Sequence, residues 1–168
     1  MMDLVAYLVL DVPFILVVYL AVLLFTRPGR VPTLAALLGG LVMAVLNMLA
    51  DLLAYYLHLW HYTLPGLVLH LPLPFYIPDI FIYGGIGYLA IWLLWQRRSW
   101  QWAAIALLIA TPLVRALFDY ARAATASGYI VWDSPFAGVF DLFQYLVAFY
   151  AGYLLFTLCV RTYLSHHQ

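Results

Sequence analysis

Residues 33–59 read TLAALLGGLVMAVLNMLADLLAYYLHL, and Asp51 is their only acidic or basic side chain apart from His58. At about 1.5 Å of rise per residue, one helix of this length crosses the roughly 30 Å hydrocarbon core of a bilayer. Asn47, Asp51, Tyr55 and His58 fall at i, i+4, i+8 and i+11, so the helix carries a polar stripe on an otherwise apolar surface. An ionisable group within such a helix costs several kcal/mol and marks a candidate functional site.

Working outward, four further stretches are long and apolar enough to span: about 4–25, 77–95, 101–124 and 136–160. Arg27-Pro28-Gly29-Arg30, the prolines 65, 72, 74 and 78, and Ser134-Pro135 punctuate their ends. The expected fold is all-α, a five-helix polytopic membrane bundle forming one transmembrane domain over residues 1–168. The first span is expected to stay as a membrane helix, because Met1-Met2-Asp3 gives no basic n-region for a cleaved signal.

Composition agrees. The chain of 168 residues is 68% apolar and 8% charged, with formal net charge zero, and its mean hydropathy is +1.02. A soluble domain carries about 25% charged residues, and a nucleic-acid binder needs a basic face; neither fits. All seven basic residues are Arg and all seven acids are Asp. Without Lys there is no Schiff base to retinal or pyridoxal phosphate and no P-loop lysine. The lone Cys159 forms no internal disulfide and reads as a small apolar helix residue.

Arg27, Arg30, Arg97, Arg98 and Arg161 fall on one side of a five-span arrangement, which predicts an outer N-terminus and a cytoplasmic C-terminus. A bacterial cytoplasmic membrane is the expected location. Asp11, Asp51, Asp79, Asp119 and Asp141 then lie in the outer halves of five different helices, with Asp3 and Asp133 at the outer surface and His166 and His167 in a solvated tail. Asp79 and Asp141 also sit in first helical turns, where the helix dipole alone favours a carboxylate.

Arg115, Asp119 and Arg122 run at i, i+4 and i+7, which clamps Asp119 between two guanidinium groups. Asp79, Tyr83 and Gly87 form a stripe on the third span; Asp141, Gln144, Tyr145 and Ala148 form one on the fifth. Convergence of these stripes with the one on span two makes an outer pocket lined by Asp, Arg and Tyr. Within it Asp119 is expected to be ionised and structural. Asp51, with no cation near it in sequence, is expected to hold its proton and act as a general acid, with Asp79 or Asp141 as partner. Tyr55, Tyr56, Tyr62, Tyr76, Tyr83, Tyr145 and Phe81 would supply π faces to a developing carbocation, or ordinary packing. His58, His61 and His70 flank the first outer loop and allow a weak metal or pigment reading, against which solvated interfacial histidines are the simpler account. The expected site holds no metal and uses no cofactor.

An internal repeat is also visible: Pro-Phe, a few residues, then Asp-x-Phe-x-Tyr occurs at Pro74-Phe75 with Asp79 and at Pro135-Phe136 with Asp141. Spans two and three thus look like spans four and five, as in a parallel repeat about an axis along the membrane normal.

Asn47-x-x-x-Asp51, Trp60-His61-Tyr62, and Leu71-Pro72-Leu73-Pro74 leading into Asp79-Ile80-Phe81 are similar to segments of membrane-integral carotenoid and terpenoid cyclases, namely the lycopene-cyclase domain family and the fungal-type seven-span terpene cyclases. The resemblance covers about residues 47–83. It implies metal-free protonation of an alkene or epoxide on a polyprenyl substrate, with Asp51 and Asp79 in the places of the families' essential acids. The chain departs from both families in having no Glu, an incomplete Pro-x-Glu-Glu/Asp motif, and five spans. The expected function is a cofactor-independent cyclase, isomerase or hydratase acting on an isoprenoid or other lipid. The alternative is a non-enzymatic membrane subunit that binds a lipid, a pigment or a partner chain. A proton or cation pathway fits less well, because the inner halves of the spans carry almost no polar groups.

Overall fold

The computed structural model describes residues 4–124 and 129–165, so Asp3, His166 and His167 lie outside the described residues. Five helices are long and apolar enough to cross a membrane: α1 (Leu4–Thr26), α2 (Arg30–Tyr56), α3 (Leu73–Trp95), α4 (Arg98–Ala123) and α5 (Ala137–Ser165). These agree with the sequence expectation to within a few residues. Two short strands, β1 (Trp60–Tyr62) and β2 (Ile130–Trp132), pair antiparallel with Trp60 opposite Trp132, His61 opposite Val131 and Tyr62 opposite Ile130.

Helix α2 packs on both α3 and α5, α4 closes the ring between those two, and α1 lies outside against α3. The adjacent glycines of α2 explain its central place, since neighbouring residues on a helix point about 100° apart. A Cβ on Gly39 would lie 2.5 Å from the Gly152 carbonyl oxygen of α5, and one on Gly40 would lie 2.5 Å from the Ile80 carbonyl oxygen of α3. Close backbone approach of this kind supplies the dispersion contacts that hold helices together in lipid. Between them Tyr88 is fully buried and donates to the Phe149 carbonyl at 2.8 Å. Ring contact between Tyr19 and Phe81, 5.3 Å between centroids, holds α1 on α3.

Helices α2 and α3 depart from the plain α spacing that the sequence predicted, and α1 also carries a π-helical stretch at Tyr7–Asp11. Helix α2 stops at Tyr56, and His58 adopts a left-handed φ of 54° as the chain turns into β1. The polar stripe therefore ends before His58, which is exposed beyond the helix. Helix α3 opens with a 3-10 turn at Leu73–Tyr76 and continues as a π-helix over Asp79–Tyr88. Asp79 faces α2, where it meets Asn47, while Tyr83 and Gly87 line a groove on the α4 side.

Within α4, Pro112 has no N–H to give the Leu108 carbonyl. The Tyr150 hydroxyl of α5 donates to that carbonyl at 3.2 Å, which restores a bond that lipid cannot supply.

Candidate functional site

The paired strands carry the two loops that follow α2 and α4 across one end of the ring, and they hold Tyr62 above Asp51. Thr63 N–H donates to the Tyr129 carbonyl and Asp133 N–H to the Leu59 carbonyl, both at 2.9 Å, so the ribbon is fastened at each end. Trp60, only 1% exposed, anchors it against Phe140.

Beneath the ribbon, α2 to α5 bring together the polar groups that the sequence stripes had suggested. Asn47, Asp51, Asp79, Asp119, Asp141 and Gln144 are all buried. The Tyr62 and Tyr76 hydroxyls donate to Asp51 Oδ2 at 2.9 and 2.6 Å, and the Gln144 amide donates to Asp51 Oδ1 at 3.1 Å. Tyr62 and Tyr76 thus turn hydroxyls, rather than ring faces, toward the acid. Burial, with the Asp51 carboxyl close by, pushes the Tyr62 phenol well above its ordinary range, so at neutral pH it is a donor.

The second cluster centres on Asp119. Arg115 Nη1 lies 2.6 Å and Arg122 Nη1 3.7 Å from Asp119 Oδ1, and the Tyr145 hydroxyl donates to Oδ2 at 2.6 Å. This is the clamp that the i, i+4, i+7 spacing requires. The Arg115 guanidinium also lies over the Tyr145 ring, 4.6 Å from its centroid, and nearer the edge of contact with Tyr83 at 5.9 Å. Arg122 donates to the Tyr129 hydroxyl and lies over that ring. Burial raises the Tyr129 phenol against the opposing pull of Arg122.

Asn47 links Asp79 to the rest. Its amide donates to Asp79 Oδ2 at 2.9 Å, and the Gln144 amide reaches both the Asn47 carbonyl, at 3.5 Å, and Asp51. Asp79 Oδ1, Asn47 Oδ1 and Gln144 Oε1 are buried without a hydrogen-bond partner among the described residues. Two expected residues stand apart. Tyr55 stacks on His70 with centroids 4.0 Å apart, and His58 is exposed beyond the helix end. His61 Nδ1 lies 2.7 Å from Asp133 Oδ2 on the ribbon, and among the described residues no group of three His, Cys or Asp is arranged to hold a metal.

The chain matches no protein-family model, no curated protein and no solved structure.

Three cavities meet at this site. The innermost, about 10 Å³, is lined by Asp51, Tyr62, Tyr76, Arg115, Asp119 and Tyr145, among others, and has room for one water. It shares Phe75, Arg115 and Tyr129 with a larger cavity of about 180 Å³, whose walls also include Tyr7, Tyr83 and Arg122. Tyr83 in turn borders an apolar groove of about 370 Å³ between α3 and α4, lined by Ile82, Ile86, Gly87, Ala90, Leu107 and Ala110 among others. Tyr7, Tyr62, Phe75 and Tyr129 all come from segments outside the four stripes or from loops. The one sequence signal for the ribbon residues was the matched pair of aromatic segments after spans two and four.

Proposed function

We propose that this protein is a membrane enzyme of acid–base type that acts on an isoprenoid or similar lipid, with Asp51 as the proton-exchanging group. The observation that carries the reading is the shared lining of the three cavities: an apolar groove and a polar chamber have Tyr83 as a common wall, and the chamber shares Phe75, Arg115 and Tyr129 with a water-sized space against Asp51 and Asp119. An amphipathic molecule would have its chain in the groove and its reacting end toward the carboxylates. In this reading Asp51 passes a proton to an alkene carbon, and the cation formed either loses a proton from a neighbouring carbon or is captured by water. Tyr62 and Tyr76 hold Asp51, and Arg115 holds Asp119 as a fixed negative charge that steadies the cation. Asp79 acts through Asn47, and Asp141 lies in the first turns of α5 as a further acid near the cluster. The likeness of residues 47–83 to lycopene-cyclase and fungal-type terpene cyclase segments points the same way and gives the cyclase, isomerase or hydratase class.

The orientation proposed is N-terminus out, with the ribbon on the outer face of a bacterial cytoplasmic membrane; Arg27, Arg30, Arg97, Arg98 and Arg161 at the opposite end support it. The in-register pairing of β1 with β2, one from each half, supports the parallel two-helix repeat.

A second reading is favoured by one specific feature. Asp51 already accepts three hydrogen bonds, and the space beside it admits a water but no carbon skeleton. A non-enzymatic subunit that binds a lipid, a pigment or a partner chain would be built this way. Native mass spectrometry with lipid extraction, comparing wild type with Asp51→Asn, separates the two. An isoprenoid bound by the wild type and chemically altered in the variant supports the enzyme; the same unaltered ligand or partner chain on both supports the binder.

A further inference from the structure

We infer that the 180 Å³ chamber takes the phosphate monoester head of a single-chain isoprenoid lipid whose chain lies in the groove between α3 and α4; this rests on the lipid-site reading above and names its substrate class. The chamber wall holds Arg115, Arg122 and the phenols of Tyr7, Tyr83 and Tyr129, and no carboxylate is among its lining residues. Its local character is therefore that of an anion site, although acids are buried behind it.

The donors are also available. Arg115 gives one N–H to Asp119 and is fixed between the rings of Tyr83 and Tyr145, so its planar fork is held in place with other N–H groups at the chamber. The Tyr129 hydroxyl accepts from Arg122, which leaves its own proton to donate. The Tyr7 and Tyr83 hydroxyls have no hydrogen-bond partner among the described residues. The Arg115 guanidinium and three phenols alone offer more donors than the one carboxylate beside them can accept. A phosphate monoester has three terminal oxygens and between about one and two negative charges, and it can use them. Asp119 neutralises part of this positive charge, which keeps the empty site tolerable in a low-dielectric setting. The adjoining groove is floored by Gly87, Ala90 and Ala110, where the small side chains leave a channel beside the helix backbones. The chamber and this groove share Tyr83 as a wall, which puts the head and chain sites side by side.

The test is calorimetric titration of the purified full-length protein in a neutral maltoside detergent with geranylgeranyl monophosphate, geranylgeraniol and inorganic phosphate. The monophosphate is expected to bind at least about tenfold more tightly than the alcohol, the effect of one charge-assisted contact. Arg122→Gln should bring that ratio toward one. Gly87→Leu should weaken both prenyl ligands, since a Cβ there meets only the Ile82 carbonyl at 3.5 Å and the longer side chain enters the groove. Equal binding of alcohol and monophosphate, or inorganic phosphate binding as tightly as the prenyl phosphate, overturns the inference. Turnover of an uncharged isoprenoid with no preference for the monophosphate also overturns it and leaves the enzyme reading standing. Tight monophosphate binding without turnover supports the inference and removes the enzyme reading.

Discussion

Tyr76, in the opening turn of α3, donates its hydroxyl to Asp51 of α2 at 2.6 Å, and both residues are buried. One contact thereby joins the helix that carries the polar stripe to the proline-rich entry of its neighbour. Removing Asp51 strands Tyr76, whereas removing Tyr76 leaves Asp51 with Tyr62 and Gln144. Tyr76→Phe should lower stability by about 1–3 kcal/mol, and Asp51→Ala should cost more, because it leaves Tyr62, Tyr76 and Gln144 without their acceptor. Thermal unfolding in detergent would check the order. An Asp51→Ala protein as stable as wild type would contradict it.

Arg115 and Arg122 should behave differently although both flank Asp119. The side chains of Arg115 and Asp119 are 13% and 7% exposed and 2.6 Å apart, whereas Arg122 is 47% exposed and 3.7 Å away. Arg115→Gln leaves the buried Asp119 carboxylate with only the longer Arg122 contact and the Tyr145 hydroxyl, and should destabilise by about 3 kcal/mol. Arg122→Gln should change stability by less than about 1 kcal/mol. Arg115→Gln combined with Asp119→Asn should recover most of the loss, and chemical unfolding of the three variants would show whether it does.

Helix contacts make a contrasting pair of glycine substitutions. Gly39→Leu must drive α2 away from Gly152 and Tyr88, so it should prevent a stable bundle from forming. Gly87→Leu points into the groove and should leave the unfolding temperature near that of wild type. Size-exclusion profiles and thermal unfolding would read both.

How much of this was legible in the sequence follows from which interactions are local. The five spans were legible because length and apolarity decide them, and so was the Arg115–Asp119–Arg122 clamp, whose partners lie within two turns of one helix. Convergence of Asn47, Asp51, Asp79, Gln144 and Tyr145 followed from stripes on three helices. His58 was misplaced on the α2 stripe because nothing local signalled the left-handed turn that ends the helix at Tyr56. Asp79 turned toward Asn47 of α2 while Tyr83 and Gly87 line the groove toward α4, a division that depends on how α3 sits between its two neighbours and not on the residues of α3 alone. The donors Tyr62 and Tyr76 reach Asp51 only after β1 and the proline-rich loop fold back, which are long-range events.

Pro112 and Tyr150 form a coupled pair. Tyr150→Phe should cost about 1 kcal/mol by leaving the Leu108 carbonyl unpaired. In a Pro112→Ala background the helix makes its own bond to Leu108, and the same substitution should cost little. A double-mutant cycle gives the coupling directly.

The central claim, that Asp51 exchanges protons with a bound isoprenoid, is tested most directly by solvent deuterium. Membranes containing wild type or Asp51→Asn would be incubated in D2O and the extracted isoprenoids analysed by mass spectrometry. Carbon-bound deuterium in the wild-type sample and its loss in Asp51→Asn is the expected result. Equal incorporation in both, or none in either, would contradict the claim.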